Sequence, residues 1–477
     1  MQIYKAHYRP AVIAAHKNNP LIETLPDYLE WMPKHVLAKL AKTPVAPSAV
    51  ASRVQCTAWL NQLPMNFFVP TKRHYALFET IDLLIRQGYV LRNPLTPERA
   101  EYLRNAYARQ QAGEKITDCT FEEEVHEQLT ASLIGTSGMG KTRTVERILS
   151  LYPQLIEHSR EQNGGPFLQI TYLHIECPHD GSVNALCRSI LAEVDRLTSN
   201  NYKEKFHITD RTTLETLKST LVHILAVHYV GIIVIDEIQN LVSSRKNRED
   251  LFNFIVSLSN SLNVPLLFVG TPKIYKFLTS NMRTARRFGT RGFIQWKPLP
   301  RDSREWKTFV TALWHCSMLQ QDPESIPEEI EDKLFECSFG IVEILLKLYI
   351  LTQNRILYLT ARKQSTTEKR LTVEAIDHVF HEYFENMEPI LGKLHKGDLK
   401  ALLELEDIVM PASLEEITSQ MRLEISQEDV EEDAADDELR RSDVKSAIAG
   451  SLQYAGDGLP PVAQKIAEEL IKTEKDA

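Results

Sequence analysis

A glycine-rich octapeptide, Gly135-Thr-Ser-Gly-Met-Gly-Lys-Thr142, has the residue types that bind phosphate. Glycines let a loop turn its N–H groups inward around an anion, and the following helix adds its positive N-terminal end. Lys141 would reach the terminal phosphates, and the Thr142 hydroxyl would ligate Mg²⁺. An apolar run, Ala131 to Ile134, precedes the loop, and a helical pattern, Val145 to Leu151, follows it. We therefore predict that this loop binds a nucleotide through Gly135, Thr136, Ser137, Gly138, Met139, Gly140, Lys141, Thr142 and Arg143.

Two carboxylates follow a second apolar run, in Gly231-Ile-Ile-Val-Ile-Asp-Glu237. In open α/β sheets, ligands bind at the C-terminal ends of the strands, which is where this run places both acids. We expect Asp236 to hold Mg²⁺ from its outer shell and Glu237 to align or activate the attacking water. A solvated Asp-Glu pair that opens a loop is the alternative, and the phosphate loop upstream disfavours it.

Two further positions could complete a hydrolytic site. Thr271 ends the run Leu266-Leu-Phe-Val-Gly-Thr and could contact the γ-phosphate or the lytic water. It could equally cap a helix, because Pro272 follows it, and the two roles are compatible. An arginine near the end of the next helix could reach the nucleotide of a neighbouring subunit, and we favour Arg287 over Arg286 for this role. Exposed arginines are often solvated or structural, so that reading of Arg287 stays open.

The alternation of apolar runs and amphipathic helices predicts an α/β fold, with a parallel sheet covered by helices on both faces in three layers. Five strands are expected, at Ala131–Ile134, Leu168–Ile175, Gly231–Ile235, Leu266–Val269 and Phe293–Trp296. We divide the chain into a helical N-terminal extension (1–115), an α/β nucleotide-binding core (116–300), a helical lid (301–390) and an acidic, partly disordered tail that docks partners (391–477). Lid helices are expected at 305–319, 328–337, 341–361 and 373–386, the third being open to interruption.

Charge is distributed unevenly along the 477 residues. The formal net charge is −9, yet the segment from Glu404 to Arg440 alone carries −12, which leaves the remainder at +3. The six cysteines form no C-x-x-C pair, and we expect reduced core thiols. Neither a membrane span nor a secretory signal is indicated, so we expect a cytoplasmic protein.

The motifs resemble those of the AAA+ transposition regulators TnsC and TniB, relatives of the Mu B protein, and the longer TnsC type in particular. The resemblance spans roughly residues 66–350 and includes the phosphate loop, His174-Ile-Glu-Cys-Pro-x-x-Gly-Ser182, Ile235-Asp-Glu-Ile-Gln-Asn-Leu241, Phe268-Val-Gly-Thr-Pro272 and Arg286-Arg-Phe288. It implies an AAA+ P-loop NTPase core. In one departure, Gly340-Ile-Val-Glu343 stands where many AAA+ proteins have Gly-x-x-Arg. The arginine that would act as the second sensor is therefore missing, and Lys347 is the candidate in its place.

The resemblance further implies a Mg²⁺-dependent ATPase that oligomerises on double-stranded DNA, as a ring or helical filament with a heptamer as one option. Such a protein passes a target from a selection protein or guide-RNA complex to transposase subunits. The alternative is a nucleotide-gated signalling or defence NTPase that acts through protein partners.

The sequence also offers candidates for contacts to the nucleotide base and to DNA. By the same resemblance, Phe67 to Tyr75 would lie at the adenine pocket, although its aromatics are better explained as core. Loop lysines and arginines usually only solvate, yet one or two phosphate contacts per subunit would add up along a filament. The candidate DNA contacts lie in two basic loops: Lys203, Lys205, Arg245 and Lys246.

Overall fold

The computed structural model describes most of the chain up to residue 396 and a few residues beyond it. The described residues are 2–11, 13–26, 32–45, 47, 51–97, 101, 129–159, 166–179, 182–242, 254, 263–275, 289–319, 325–360, 370–396, 414, 417–419 and 421. The basic loop with Arg245 and Lys246, the arginine candidate Arg287 and nearly all of the acidic tail lie outside these residues.

In the described part of the chain, eight strands form two sheets. In chain order the strands are β1 (Ile3–Lys5), β2 (Thr130–Gly135), β3 (Leu155–His158), β4 (Phe167–Ile170), β5 (Tyr172–Glu176), β6 (Ile232–Asp236), β7 (Leu266–Gly270) and β8 (Phe293–Trp296). The larger sheet has the order β5-β6-β7-β2-β8, and all of its strand pairs are parallel. The predicted parallel α/β sheet is therefore confirmed.

One strand prediction was wrong. The apolar run Leu168–Ile175 forms two strands, because the chain leaves one sheet after Ile170 and enters the other at Tyr172. Thr171 stands between them, and its N–H donates to the carbonyl of Gln154 at 2.9 Å. The first half pairs antiparallel with β3 in the small sheet, whose third strand is β1. Both halves are extended and apolar, so their periodicity carries no sign of the change of sheet.

Helices surround the large sheet and build the lid. They are α1 (Pro20–Glu23), α2 (Pro33–Leu40), α3 (Arg53–Asn61), α4 (Leu63–Asn66), α5 (Lys72–Val90), α6 (Lys141–Leu149), α7 (Val183–Thr198), α8 (Tyr202–Lys205), α9 (Leu214–Val227), α10 (Gln239–Val242), α11 (Arg304–Trp314), α12 (Glu328–Ser338), α13 (Val342–Thr360), α14 (Val373–Tyr383) and α15 (Glu388–His395).

Hydroxyl side chains begin several of these helices. Ser182, Thr213, Ser303 and Thr372 each accept a hydrogen bond from the N–H three residues on, which satisfies one otherwise unpaired donor of the first turn. In the lid, α13 runs without interruption, whereas α11 ends at Trp314, earlier than predicted. The helix predicted to reach residue 386 ends at Tyr383, where a 3-10 turn and α15 follow.

The two faces of the large sheet are buried against different partners. On β6, Ile233 and Ile235 belong to a cluster with the apolar faces of α7 and α9. The alternate residues Ile232 and Val234 point to the other face and join a second cluster, formed with the N-terminal helices, α6 and the lid. This alternation follows from the two-residue period of a strand. The sheet is thus the middle of three layers.

A buried ion pair within α5 is hydrogen-bonded to the segment that follows α6. Arg86 Nε donates to Asp82 Oδ2 at 2.8 Å, and the Tyr152 hydroxyl donates to Asp82 Oδ1 at 2.9 Å. Arg86 also donates to the carbonyl of Pro26 at 2.7 Å, which adds the preceding segment to the same network. The charges are therefore satisfied although both side chains are almost fully buried.

A bilayer could not be crossed by any helix in the described part of the chain, because none combines the necessary length with sufficient apolar character. Five of the cysteines lie in this part, all as free thiols, and four of them are buried as expected. Burial raises the pKa of Cys187 and of Cys337 to about 12, so both stay protonated at neutral pH.

Replacing Asp82 by Ala should lower the free energy of unfolding by about 3–5 kcal/mol, because it leaves the Arg86 guanidinium buried without its counter-ion. Urea denaturation measures this change. Glu79→Ala, at an exposed position on the same helix, is the control and should change it by less than about 0.5 kcal/mol. Equal effects of the two substitutions would contradict the assigned role of the ion pair.

Candidate nucleotide-binding site

The glycine-rich loop lies between β2 and α6, as predicted. Gly138 and Gly140 have φ values of +76° and +74°, in the left-handed region that costs other residues free energy. A Cβ at Gly140 would meet no atom within 4 Å, so the conformation of the loop, and not crowding, requires glycine there. Helix α6 then begins at Lys141, which directs its first N–H groups toward the hollow of the loop.

The ammonium group of Lys141 lies inside this loop. Its Nζ donates to the carbonyl of Gly135 at 2.8 Å and to that of Thr136 at 3.0 Å, and the residue is buried. A buried cation held by loop carbonyls is placed where an anionic phosphate would be bound. Thr142, the predicted Mg²⁺ ligand, is exposed next to it at the start of α6.

The predicted acidic pair ends β6, two strands from the loop. Asp236 is buried, its Oδ1 accepts from the N–H of Glu237 at 2.8 Å, and its Oδ2 lies 3.5 Å from His174 Nε2. Burial raises the pKa of Asp236, but His174, Thr142 and the Glu237 amide outweigh it and hold the pKa below its usual value. Asp236 is therefore a carboxylate at neutral pH, the form that suits a cation.

The pKa of Glu237 is shifted in the opposite direction from that of Asp236. Burial raises the pKa of its carboxyl, the Asp236 charge raises it further, and the Lys141 ammonium opposes the rise. Its φ is +53°, which is uncommon for a residue with a side chain. The acidic pair therefore combines a stable anion with a carboxyl group of higher proton affinity.

Thr271 follows β7, the strand between the loop strand and the acidic strand. It stands before a 3-10 turn, Pro272–Ile274, but its side chain makes no capping hydrogen bond to that turn. The Thr271 hydroxyl oxygen is buried and has no hydrogen-bond partner among the described residues. The hydroxyl therefore does not cap the turn. It is left free to contact a ligand, which is the other of its two predicted roles.

Gln239 connects two of the predicted site residues, although the sequence motifs assign no role to it. Its Nε2 donates to Glu237 Oε2, and its Oε1 accepts from the N–H of Thr271 at 3.2 Å. The sequence held a signal for it, because this glutamine is part of the Asp-Glu-x-Gln motif on which the family resemblance depends. The side chain therefore joins the ends of β6 and β7.

A pocket that is partly open to solvent adjoins the phosphate loop. Three parts of the chain line it: the segment from Phe67 to His74, the loop and α6 with Met139 and Arg143, and the lid with Leu346. The aromatic side chains of Phe67 and Phe68 are core residues as well as wall. Arg143 has a buried Nη2 without a hydrogen-bond partner among the described residues.

His74 contributes a polar edge to this pocket. Its Nδ1 accepts from the N–H of Thr71 at 2.8 Å, so the neutral ring carries its proton on Nε2. Burial lowers the pKa of His74 to about 3, which keeps the ring neutral at physiological pH. The pocket is thus mostly apolar, with a neutral imidazole and a guanidinium at its edges, a composition that fits a nucleoside.

The lid touches the loop directly. The N–H of Glu343 donates to the carbonyl of Gly138 at 3.0 Å, and a Cβ at Gly138 would lie 3.1 Å from the Glu343 carboxylate. Lys347 Nζ lies 3.0 Å from Glu343 Oε1. The position of the usual Gly-x-x-Arg arginine therefore holds a glutamate that is paired with the lysine one turn later.

Two of the four candidate DNA contacts lie on a short helix, and not in the loop that was predicted for them. Lys203 and Lys205 are exposed on α8, where Asp195 accepts from the N–H groups of Tyr202 and Lys203 and holds the short helix in place. Arg245, Lys246 and Arg287 lie outside the described residues, so their roles stay predictions.

Comparison with known proteins supports nucleotide binding by this chain. Residues 125–278, about a third of the chain, match the AAA domain family. This segment contains the phosphate loop, the acidic pair and Thr271. No curated protein matches the chain.

Several solved structures have a similar fold at low identity. A Walker-type ATPase of Pyrococcus abyssi is 13% identical, with 68% of this chain and 87% of that chain covered and a TM-score of 0.35. Cdc6p from Pyrobaculum aerophilum is 16% identical, with 66% and 69% covered and a TM-score of 0.39. The Aeropyrum pernix ORC1 protein, solved in complex with DNA, is 15% identical, with 70% and 87% covered and a TM-score of 0.36.

The chain carries an AAA domain match over its loop, acidic pair and central strands, and this match supports a nucleotide-binding ATPase.

Proposed function

We propose that the protein is an ATP-dependent AAA+ regulator of DNA transposition, which oligomerises on double-stranded target DNA and links a target-selection factor to the transposase. The observation that supports the ATPase part best is the convergence of Lys141, the acidic pair and Thr271 at one edge of the sheet. The transposition part depends on the resemblance of the motifs to the TnsC type, and a cytoplasmic location is part of this proposal.

The site has the donors that a nucleotide would need. The loop N–H groups and Lys141 would hold the phosphates, and the pocket between Phe67 and Leu346 would hold the nucleoside. Nucleotide binding would give partners to Arg143 Nη2 and Thr271 Oγ1, two buried atoms that have none within the described part of the chain. Because unsatisfied buried polar atoms cost free energy, their pairing would favour the bound state.

Mg²⁺ fits the hydroxyl of Thr142 and the carboxylate of Asp236, which are oxygen ligands of the kind this ion prefers. When bound, the ion would neutralise charge that develops on the phosphates. Glu237 would accept a proton from the attacking water, and Thr271 would orient that water or the γ-phosphate. Arg287 of a neighbouring subunit would stabilise the transition state, so that hydrolysis would depend on assembly.

DNA binding would depend on many weak contacts. Each subunit would offer Lys203 and Lys205 on α8, with Arg245 and Lys246 from the second basic loop, and a filament would repeat these contacts along the duplex. Such binding should weaken steeply as salt concentration rises, because each phosphate contact releases counterions. The acidic tail would then face the transposase and the N-terminal extension the targeting factor.

Electron microscopy of the protein with linear duplex DNA tests the proposal. We expect rings or filaments on DNA with ATP or a non-hydrolysable analogue, and free protein with ADP or without nucleotide. Lys141→Ala should abolish them, because it removes the cation that holds the terminal phosphates, whereas the exposed Lys307→Ala should not. Nucleotide-bound particles that ignore DNA would favour the alternative, an NTPase switch that acts through protein partners.

Glu237→Gln should lower kcat for ATP hydrolysis by about 100-fold, because a carboxamide cannot accept the proton of the attacking water. Affinity for ATP should change by less than about threefold, since the loop and pocket are untouched. Steady-state hydrolysis and binding of a fluorescent ATP analogue measure the two quantities. A variant that hydrolyses ATP at the wild-type rate would remove Glu237 from the mechanism.

Lys347→Met should weaken ATP binding by at least about fivefold, because it leaves the Glu343 carboxylate unpaired beside the phosphate loop, where it would repel the phosphates. Glu343→Gln removes the repelling charge and should not weaken binding. Lys307→Met is the matched control on the lid surface. Equal affinities for all of these variants would show that the ion pair plays no part in binding.

A further inference from the structure

We propose that Gln239 is a positioning residue, whose side-chain amide holds the Glu237 carboxylate and the backbone at Thr271 in one fixed arrangement. This inference rests on the proposed ATPase function and concerns how its water-activating group is held. Gln239 is not assigned to touch the nucleotide. It acts through Glu237, which lies two residues before it, and it begins the short helix α10 itself.

The orientation of the amide is determined by its partners. The N–H of Thr271 can only donate, so the oxygen of the Gln239 side chain must face it, at 3.2 Å. The NH₂ group must then face the other way, toward Glu237 Oε2, to which it donates. A carboxylate accepts such a bond in its ionised form. One planar group thus fixes both neighbours at once.

The backbone around Glu237 is shaped so that this contact can form. Glu237 has φ +53°, and the turn is closed by hydrogen bonds from Ile238 N–H to the Val269 carbonyl at 3.1 Å and from Asn240 N–H to the Glu237 carbonyl at 3.0 Å. This left-handed residue turns the chain back toward the end of β7. Gln239 therefore contacts Thr271 as well as Glu237, which lies only two residues before it.

Space for the amide is created by Gly270. A Cβ at this position would lie 2.8 Å from Gln239 Oε1 and 2.7 Å from Ile238 Cγ2, which is closer than real Cβ contacts allow. The side chain can lie across the end of β7 because residue 270 has no side chain. The contact therefore depends on the amide at position 239 and on the missing side chain at position 270.

The bridge also separates the two hydrogen-bond donors of Thr271, its backbone N–H and its hydroxyl. Gln239 holds the N–H, while the buried hydroxyl oxygen has no hydrogen-bond partner among the described residues. That hydroxyl is free to bond to a phosphate oxygen or to water in the site. Because Glu237 and Thr271 contact the same amide, their spacing across the site is fixed before a nucleotide binds, which is the preorganisation that catalysis requires.

A purely structural glutamine is the competing explanation, and one substitution separates the two. Gln239→Met preserves volume and flexibility but removes both hydrogen bonds. Gln154→Met is the matched control, because Gln154 is also half-buried and its side-chain amide is also hydrogen-bonded, Nε2 donating to the Tyr172 carbonyl at 3.4 Å. Each variant is measured for kcat, KM for ATP, affinity for a non-hydrolysable analogue and melting temperature.

For Gln239→Met we expect kcat to fall by at least about tenfold, as when a general base loses its alignment, with KM and analogue affinity within about threefold of wild type. The melting temperature should fall no further than in Gln154→Met, whose kcat should be unchanged. A fall in melting temperature and affinity with unchanged kcat would overturn the inference. A rise in kcat would also overturn it, because the amide would then hold Glu237 in an unproductive position.

The double variant with Glu237→Gln tests whether Gln239 acts through Glu237. Adding Gln239→Met to Glu237→Gln should reduce the residual rate by less than about threefold, against the loss of at least about tenfold that it causes alone, because the Glu237 carboxylate is already lost and only the hold on Thr271 remains. A multiplied loss would overturn the inference. If wild-type protein binds ATP but does not hydrolyse it, the ATPase proposal fails and the inference fails with it; a hydrolysing wild type with an unaffected Gln239→Met overturns the inference alone.

Discussion

The site depends on one constraint, the pairing of buried parallel strands. Every backbone donor and acceptor of β2, β6 and β7 lies in the protein interior, where an unpaired group costs free energy, so the strands must remain in register. In that register Ile134 lies opposite Gly270, and Ile235 lies opposite Phe268. The phosphate loop, the acidic pair and Thr271 all follow these strand ends, and the sheet therefore brings them to one edge.

The elements around the sheet divide the remaining tasks. Helices α7 and α9 bury one face and contribute no residue to the pocket wall. The N-terminal helices and the lid cover the other face and line the pocket from two sides. Arg147 reinforces this arrangement from α6, since it donates to the Leu40 carbonyl at 2.9 Å and lies 4.8 Å over the Phe68 ring. The loop helix is thus bound to the segment that forms the pocket.

Much of this could be predicted from the sequence, because its signals are local. The phosphate loop is a short motif between a strand and a helix, and Asp236-Glu237 ends an apolar run, so both could be placed without tertiary information. The change of sheet at Thr171 could not be predicted, because it depends on long-range pairing that leaves no mark on the alternation of residues. The contact between Glu343 and Gly138 was hidden for the same reason, since about two hundred residues separate them.

Gln239 illustrates a different limit. Its position in a motif was visible, but its bonds depend on the left-handed turn at Glu237 and on the absence of a side chain at Gly270, and no propensity rule predicts either. The sequence therefore specified which residues gather at the edge of the sheet, and the structure adds how their side chains hold one another.

The hydrophobic cluster shared by the N-terminal helices, the sheet and the lid has a consequence for how such a chain can evolve. Leu77 and Ile81 of α5 belong to the same cluster as Leu345 and Leu348 of α13. An arm that is part of the common core cannot be exchanged as an independent cassette, because its removal would expose the apolar face of the sheet. New partner specificity would therefore arise by substitution on the outer surface of these helices or in the acidic tail, and not by swapping whole domains.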